Sequence, residues 1–373
     1  MERQNTTLDY NGVAFTLCAL FVFLHVAVHT IRFSDDEPTA VYGRGLLAAT
    51  ISPLSNNSVS SADPDEKFVS LCPVNLDSRR LGNQLFNFAA MMYVAELTGR
   101  RVVMPRGYVH RGSDSGWIDR WFEVPAVELV DEVVPRLCPC RNITESRPLA
   151  FERSMRHVAL KSNHVKTLLT CGWFQSWRYA AGLDGSGQSL RRQLRWRQEV
   201  STAVRRFLTD HRPPGLNSTV RYVRIGVHIR VGDLLDRRKL AFGYTIPGRG
   251  YFRRAIEFFM RHHGSNGTRF VLQFVVSSDD LDWARTHLRL DQIVARYGTS
   301  ASLVYSPSAD AGFDLALLSA CDDVIMSTGT YGWWAGWLAA GKTVYHRRWP
   351  RRGSPLDVAC NRRDFFPQRW IAL

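Results

Sequence analysis

The sequence predicts an α/β protein, two lobes built on parallel sheets behind one N-terminal membrane segment. Three observations lead there. At 373 residues the chain exceeds the size at which a single core keeps growing, so two lobes of ordinary domain size are expected. Hydrophobic residues at 45% and charged residues at 22% are the composition of a folded chain. From residue 68 onward, apolar runs of strand length alternate with stretches of helical periodicity, which is the pattern of parallel α/β layers.

Residues 1–12 make a short polar tail, expected on the cytosolic side. Residues 13–31, VAFTLCALFVFLHVAVHTI, are mostly apolar and, at about 1.5 Å rise each, come close to spanning a thin bilayer. A cleaved signal peptide would want a shorter apolar run and a small-x-small cleavage site, which 26–32 does not offer, so an uncleaved transmembrane signal-anchor is expected. Arg3 and Arg32 flank the segment and leave the positive-inside count nearly balanced. Sequons at Asn56, Asn142, Asn217 and Asn266, candidate N-glycosylation sites, fit a lumenal catalytic part. Residues 32–67, rich in Ser, Asn, Asp and Pro, read as a flexible stem. Beyond Cys18 in the anchor, Cys72, Cys138, Cys140, Cys171, Cys321 and Cys360 form an even set whose pairing the sequence leaves open. Cys138-Pro-Cys140 has no second Cys or His pair at zinc-ribbon spacing, so no structural zinc is expected.

The first lobe is placed at 68–220. A strand over 68–74 leads through a turn into a helix with Leu85, Phe88, Ala89, Met92 and Ala95 on one face; Gly99 ends it and a strand resumes at 101–104. The stretch 106–220 is less legible. The second lobe, 221–373, opens with a strand at 222–229, a helix over 251–262 and a buried-type strand at 270–276. A helix around 314–320, a strand at 323–326, a helix at 331–340 and a strand at 343–345 continue the alternation.

The formal charge of +14 favours an anionic partner without choosing among nucleic acid, lipid headgroups, sulfated glycan and nucleotide diphosphate. Part of it sits in Arg191, Arg192, Arg195, Arg197, Arg205 and Arg206, interleaved with Leu194, Val204 and Leu208 in a helical pattern that reads first as a solvated helix face.

Three segments stand where α/β proteins place ligands, at strand ends and first helical turns. Arg80, Gly82, Asn83 and Gln84 form a tight turn opening a helix, which simple turn chemistry would also explain. His228, Arg230 and Asp233 bunch around Gly232 after an apolar strand; such groups are costly at a strand end unless paired or facing a ligand. The alternative is a structural ion pair between Arg230 and Asp233. In the third, Ser327-Thr-Gly-Thr-Tyr-Gly332 leads into a helix, leaving N–H groups free for a phosphate, or forming an ordinary N-cap. Asp280 and Asp282 have the spacing of a metal clamp, but Asp282 reads more simply as a helix N-cap. No P-loop pattern appears.

Together these segments resemble the α1,2-fucosyltransferase family of type II Golgi membrane enzymes, the galactoside 2-α-L-fucosyltransferases. RLGNQLFNFAAMMYVAELTGRRVVMP (80–105) is similar to the family's first block, and GVHIRVGD (226–233) to its His-x-Arg-Arg-Gly-Asp motif. FVVSSDDLDWARTHL (274–288) and FDLALLSACDDVIMSTGTYGWWAGWLAAGKTVYH (313–346) follow in the family's order. One position departs: Val231 stands where the family has its second Arg. The resemblance implies a GT-B fold, two Rossmann-like lobes with GDP-fucose mainly in the second, no cofactor and no required metal. It implies a galactose-terminated glycan acceptor, no nucleic-acid partner, and a Golgi membrane location with the catalytic part lumenal; a homodimer is compatible with it. In the implied catalytic set Arg230 grips the departing diphosphate, His228 orients sugar or phosphate, and Asp233 braces the loop. Arg80, Gly82, Asn83 and Gln84 would close over the donor from the first lobe. Ser277, Asp279, Asp314, Thr328, Gly329, Thr330 and Tyr331 would hold it from the second. A protein O-fucosyltransferase, and a non-catalytic binding descendant suggested by Val231, stay open as alternatives.

Overall fold

The computed structural model describes residues 66–72, 80–105, 118–130, 139–216, 219–264, 269–307 and 310–373. The expected anchor, all of the stem but its last two residues, and Asn56, Asn217 and Asn266 lie outside them. Among the described residues no helix is long and apolar enough to cross a membrane.

The first six strands are β1 (Phe68–Leu71), β2 (Arg101–Pro105), β3 (Phe122–Glu123), β4 (Val127–Val130), β5 (Cys140–Thr144) and β6 (Thr167–Cys171). Five of them pair in parallel in the order β4-β2-β1-β6-β5. Helix α1 (Leu81–Thr98) connects β1 to β2 and stops at Gly99, whose φ of 72° suits glycine and whose N–H returns to the Ala95 carbonyl. It is buried on more than one face because it packs on β1 and also on a helix of the second sheet. Cys72, just after β1, and Cys171, the last residue of the neighbouring β6, form a disulfide. In the chain-entropy picture, closing a loop of about 100 residues stabilises by about 4.7 kcal/mol.

The illegible middle is a patchwork of short elements. β3 pairs antiparallel with β7 (Arg195–Trp196), stacking Phe122 on Trp196 with centroids 4.0 Å apart. On either side of β7 lie α2 (Gln188–Gln193) and α3 (Gln198–Asp210). The arginine-rich run is therefore not one helix, as its periodicity suggests, because the backbone turns away at Leu194 to pair with β3. Arg205 and Arg206 are exposed, as a solvated face requires. Arg191 differs: its guanidinium lies 3.8 Å from the Trp337 ring and its Nη2 donates to the Trp337 carbonyl at 2.5 Å.

The second sheet holds β8 (Arg221–Ile229), β9 (Phe270–Ser278), β10 (Ala301–Tyr305), β11 (Asp323–Met326), β12 (Thr343–Tyr345) and β13 (Ile371–Ala372). Its order is β10-β9-β8-β11-β12-β13, every neighbour parallel. The inner parts of β8, β9 and β11 are mostly apolar and buried because helices cover both faces of such a sheet. The connecting helices include α4 (Arg237–Phe242), α5 (Arg249–Gly264), α6 (Ala311–Ser319) and α7 (Thr330–Ala339). After β9 the helix cap is Asp280, not Asp282: the helix starts at Leu281, and Trp283 N–H donates to Asp280 Oδ1 at 2.9 Å.

One core serves both sheets. Phe86 of α1 lies 4.6 Å from Trp333 and 5.1 Å from Trp334 of α7, in a cluster that also holds Val69, Met104, Trp349 and Phe365. Truncating a buried aromatic such as Phe86 to Ala costs about 3–5 kcal/mol, so this cluster fixes the spacing between the two sets of strand ends.

Candidate functional site

Three strand ends of the second sheet meet side by side, where open α/β sheets present ligand-binding groups. Register sets His228 level with Ser277 on one side and Met326 on the other. Beyond them run Arg230 to Asp233, Asp279, and the turn Ser327-Thr328-Gly329 that starts α7. The turns are tied together: Ser327 N–H donates to the His228 carbonyl at 3.1 Å, and Arg230 N–H donates to Ser327 Oγ at 2.9 Å.

Arg230 directs its fork at Asp233, with Nε and Nη2 donating to the two carboxylate oxygens at 3.1 and 2.9 Å. The ion pair weighed from the sequence is thus present. What remains is Nη1, which lies against Gly329; a Cβ there would sit 2.4 Å from it, and the φ of +87° also demands glycine. The Tyr244 ring backs the guanidinium at 5.3 Å. Burial opposes the Arg230 charge, but the hydrogen bonds and charge of Asp233 outweigh it and raise its pKa. Asp233 also pairs with Lys239 and, at 3.4 Å, with Arg80. Burial alone would push its carboxyl up, yet Arg230, Lys239 and Arg80 hold it well below the usual carboxylate range. Three cations share one carboxylate, so the cluster stays positive. Val231 is buried in the core, and its N–H donates to Asp279 Oδ1 at 2.7 Å. Lys239 brings an additional cation to this motif from α4.

Helices α1 and α7 begin face to face. A Cβ on Gly82 would lie 2.8 Å from both Thr330 Oγ1 and Tyr331 N. Neither helix has a side-chain cap or an acidic residue in its first turn, so both present free N–H groups and the positive end of a helix dipole. Thr330 Oγ1 donates to Asn83 Oδ1 at 2.9 Å, and Gln175 Nε2 donates to the same oxygen at 3.0 Å. The Thr328 hydroxyl is buried with no hydrogen-bond partner among the described residues.

His228 lies behind this turn. Its Nδ1 is 3.3 Å from Ser327 Oγ and would be 2.3 Å from a Cβ on Gly332. Burial and the Arg230 charge push its pKa down to about 3, so the ring is neutral at ordinary pH. Asp314 accepts from the hydroxyls of Ser277, at 2.9 Å, and Ser306, and burial pushes its carboxyl up to about 6 despite those bonds. Burial also raises Asp279, against the pull of the Val231 N–H and Arg230. Tyr331 donates to the Ala311 carbonyl at 2.6 Å.

The structure therefore brings Arg80, Gly82 and Asn83 against Arg230, Asp233, Gly329, Thr330 and Tyr331. Ser277 and Asp314 form a support layer, and Gln84 is buried in α1. Asn142 is apart, exposed on β5. Asp280 is engaged as a helix cap, and among the described residues no group of three His, Cys, Asp or Glu is placed to hold a metal. Sequence reasoning missed Gln175, Lys239 and Tyr244. For Gln175 a signal existed: a Gln amid aromatics in Trp173-Phe-Gln-Ser-Trp177, directly after an apolar strand. Lys239 carried one too, in the basic run Arg237-Arg-Lys239 just past the motif.

The profile of glycosyl transferase family 11 matches residues 158–372. The chain is 25% identical to galactoside 2-α-L-fucosyltransferase SEC1 of Bos taurus over 79% of its own length and 72% of the relative's. It is also 25% identical to galactoside α-(1,2)-fucosyltransferase 1 of Rattus norvegicus, over 86% and 78% of the two chains. Among solved structures, the apo form of POFUT1 superposes with a TM-score of 0.49 at 13% identity, covering 77% of this chain and 99% of that one.

Proposed function

The chain belongs to glycosyl transferase family 11, and from that premise we propose that it moves L-fucose from GDP-fucose to the 2-hydroxyl of a terminal β-galactoside, inverting the fucose C1 to give an α-linked product. The relatives' names supply the sugar and the linkage. The observation that carries the donor side is the meeting of two uncapped helix N-termini beside Arg230. As the bond between C1 and the β-phosphate oxygen lengthens, the departing GDP gains negative charge. Free N–H groups of α1 and α7, Arg230 Nη1 and the Thr328 hydroxyl are donors already oriented for that charge. Asp233 is the positioning residue that turns Nη1 toward the Gly329 peptide. Lys239 and Arg80 offset its own negative field, and neutral His228 supports the turn.

In this reading the cationic work falls to Arg230, Lys239 and Arg80, and transfer requires no metal. It includes a GT-B arrangement and a type II Golgi anchor at 13–31 with the catalytic part lumenal; the Cys72–Cys171 disulfide supports an oxidising compartment. The test is to incubate the full chain, in detergent, with labelled GDP-fucose and two acceptor classes, β-galactosides and a folded protein domain. Label on the galactosides, changed less than about tenfold by EDTA, is expected. Label on the folded domain would instead support protein O-fucosyl transfer, and GDP binding without any label a non-catalytic role.

A further inference from the structure

On the first sheet's side of the meeting of α1 and α7, two side-chain amides are joined. Asn83 Oδ1 accepts from both Thr330 Oγ1 and Gln175 Nε2. With the Gln175 amide presenting its Nε2 hydrogens, Asn83 must present Oδ1 to it, and the Thr330 hydroxyl, which can donate or accept, fits that choice. Asn83 Nδ2 and Gln175 Oε1 are then left without a protein partner among the described residues, although Gln175 is only 9% exposed. Asn83 is half-buried and both atoms reach solvent, so they are open to a ligand. Asn83 lies in the first turn of α1 and meets Thr330 in the first turn of α7, next in sequence to Gly329, against which Arg230 Nη1 rests.

We propose that Gln175 is a positioning residue for the transferred sugar. It holds Asn83 so that the two amides together offer donor hydrogens from Nδ2 and an acceptor from Oε1, a pattern that suits adjacent hydroxyls of a pyranose. The inference rests on the reading above that the donor is a nucleotide-diphosphate sugar. It makes Gln175 a determinant of sugar handling and not of nucleotide affinity.

Two near-isosteric variants of the full chain test it. Gln175→Glu replaces the donor to Asn83 by an acceptor, so the Asn83 amide flips and turns Oδ1 toward the sugar. Asn83→Asp keeps both hydrogen bonds received at that position and removes the Nδ2 donor. Each should lower kcat/KM for GDP-fucose about tenfold, with GDP affinity by titration calorimetry within about twofold of wild type. The double variant Asn83→Asp/Gln175→Met, which avoids opposing two carboxylates, should lose little more than the worse of its two single variants, because both changes act through one amide. Should Gln175→Glu not fold, Gln175→Met takes its place with the same expectation for transfer. GDP affinity falling in step with transfer, losses that multiply in the double variant, or a Gln175→Glu rate within about twofold of wild type would each overturn the inference while leaving the proposed function standing. A wild-type chain that binds GDP-fucose no better than GDP and transfers nothing would overturn both.

Discussion

On the second sheet's side of the site the charged groups are held from several directions: Arg230 by both oxygens of Asp233 and by the Gly329 turn, Asp314 by two serine hydroxyls. On the first sheet's side the cation is Arg80, its side chain 67% exposed, and the main polar contact is the Asn83 amide, held by Gln175 from 92 positions away. The first arrangement is set before any ligand arrives, as stabilisation of developing charge requires. The second leaves a long side chain mostly exposed and, on the proposed reading, puts sugar specificity on two amides. On the proposed reading charge handling and sugar handling are separable between the two sides, and substitutions on them should fail differently.

The largest effect is expected at Arg230. Arg230→Lys keeps the charge but cannot both grip Asp233 with a planar fork and present Nη1, so turnover should fall about a hundredfold to a thousandfold. The thermal midpoint should move little, since Lys239 and Arg80 still meet Asp233. Near-normal turnover in a folded Arg230→Lys chain would erase the contrast between the two sides.

Asp314 sharpens the comparison through stability. Its folded pKa of about 6 stands above an unfolded value near 3.9, so it binds its proton more tightly when folded. Its burden on stability is absent below about pH 4, where both states are protonated, and complete above about pH 6. Asp314→Asn removes that burden: urea unfolding should show the variant gaining, relative to wild type, up to about 3 kcal/mol more at pH 7 than at pH 4. A pH-independent difference would mean that the carboxyl is not held protonated by its surroundings.

Two glycines probe the opposed helix ends. Gly329→Ala forces a Cβ to 2.4 Å from Arg230 Nη1 on a left-handed backbone, and should cut turnover by about ten to a hundredfold. Gly82→Ala meets Thr330 and Tyr331 at 2.8 Å and should act about tenfold, mainly on the KM for donor, by parting the two N-termini. Steady-state kinetics on both distinguishes them. The smallest effect is expected at Arg80: Arg80→Ala should raise the donor KM a few-fold at low salt, a difference that fades at high ionic strength because so exposed a charge is screened.

Legibility in the sequence followed the same divide. The run from β11 through the Ser327–Gly329 turn into α7 could be read because a buried parallel strand is a continuous apolar stretch and its exit needs small residues. Arg230, Asp233, Gly329 and Thr330 came with it. The Arg230–Asp233 pair was one of two readings of the motif; that both fork nitrogens are occupied could be learned only from geometry. Among the described residues of 118–197 most elements are too short for periodicity, and their order depends on distant partners: Phe122 on Trp196, and the Trp121 Nε1–H donating to Asp310 at 3.1 Å. Gln175 belongs to that region, so its link to Asn83 was hidden. Asp280 took the cap expected of Asp282 because the helix begins two residues sooner than the apolar pattern suggests.

The most direct test of the central claim is the linkage of the product formed from GDP-fucose and a β-galactoside, determined by NMR. The account predicts fucose in the α configuration on the galactose 2-hydroxyl. Fucose on another hydroxyl, a β-linked product, or no product with any galactoside would contradict it.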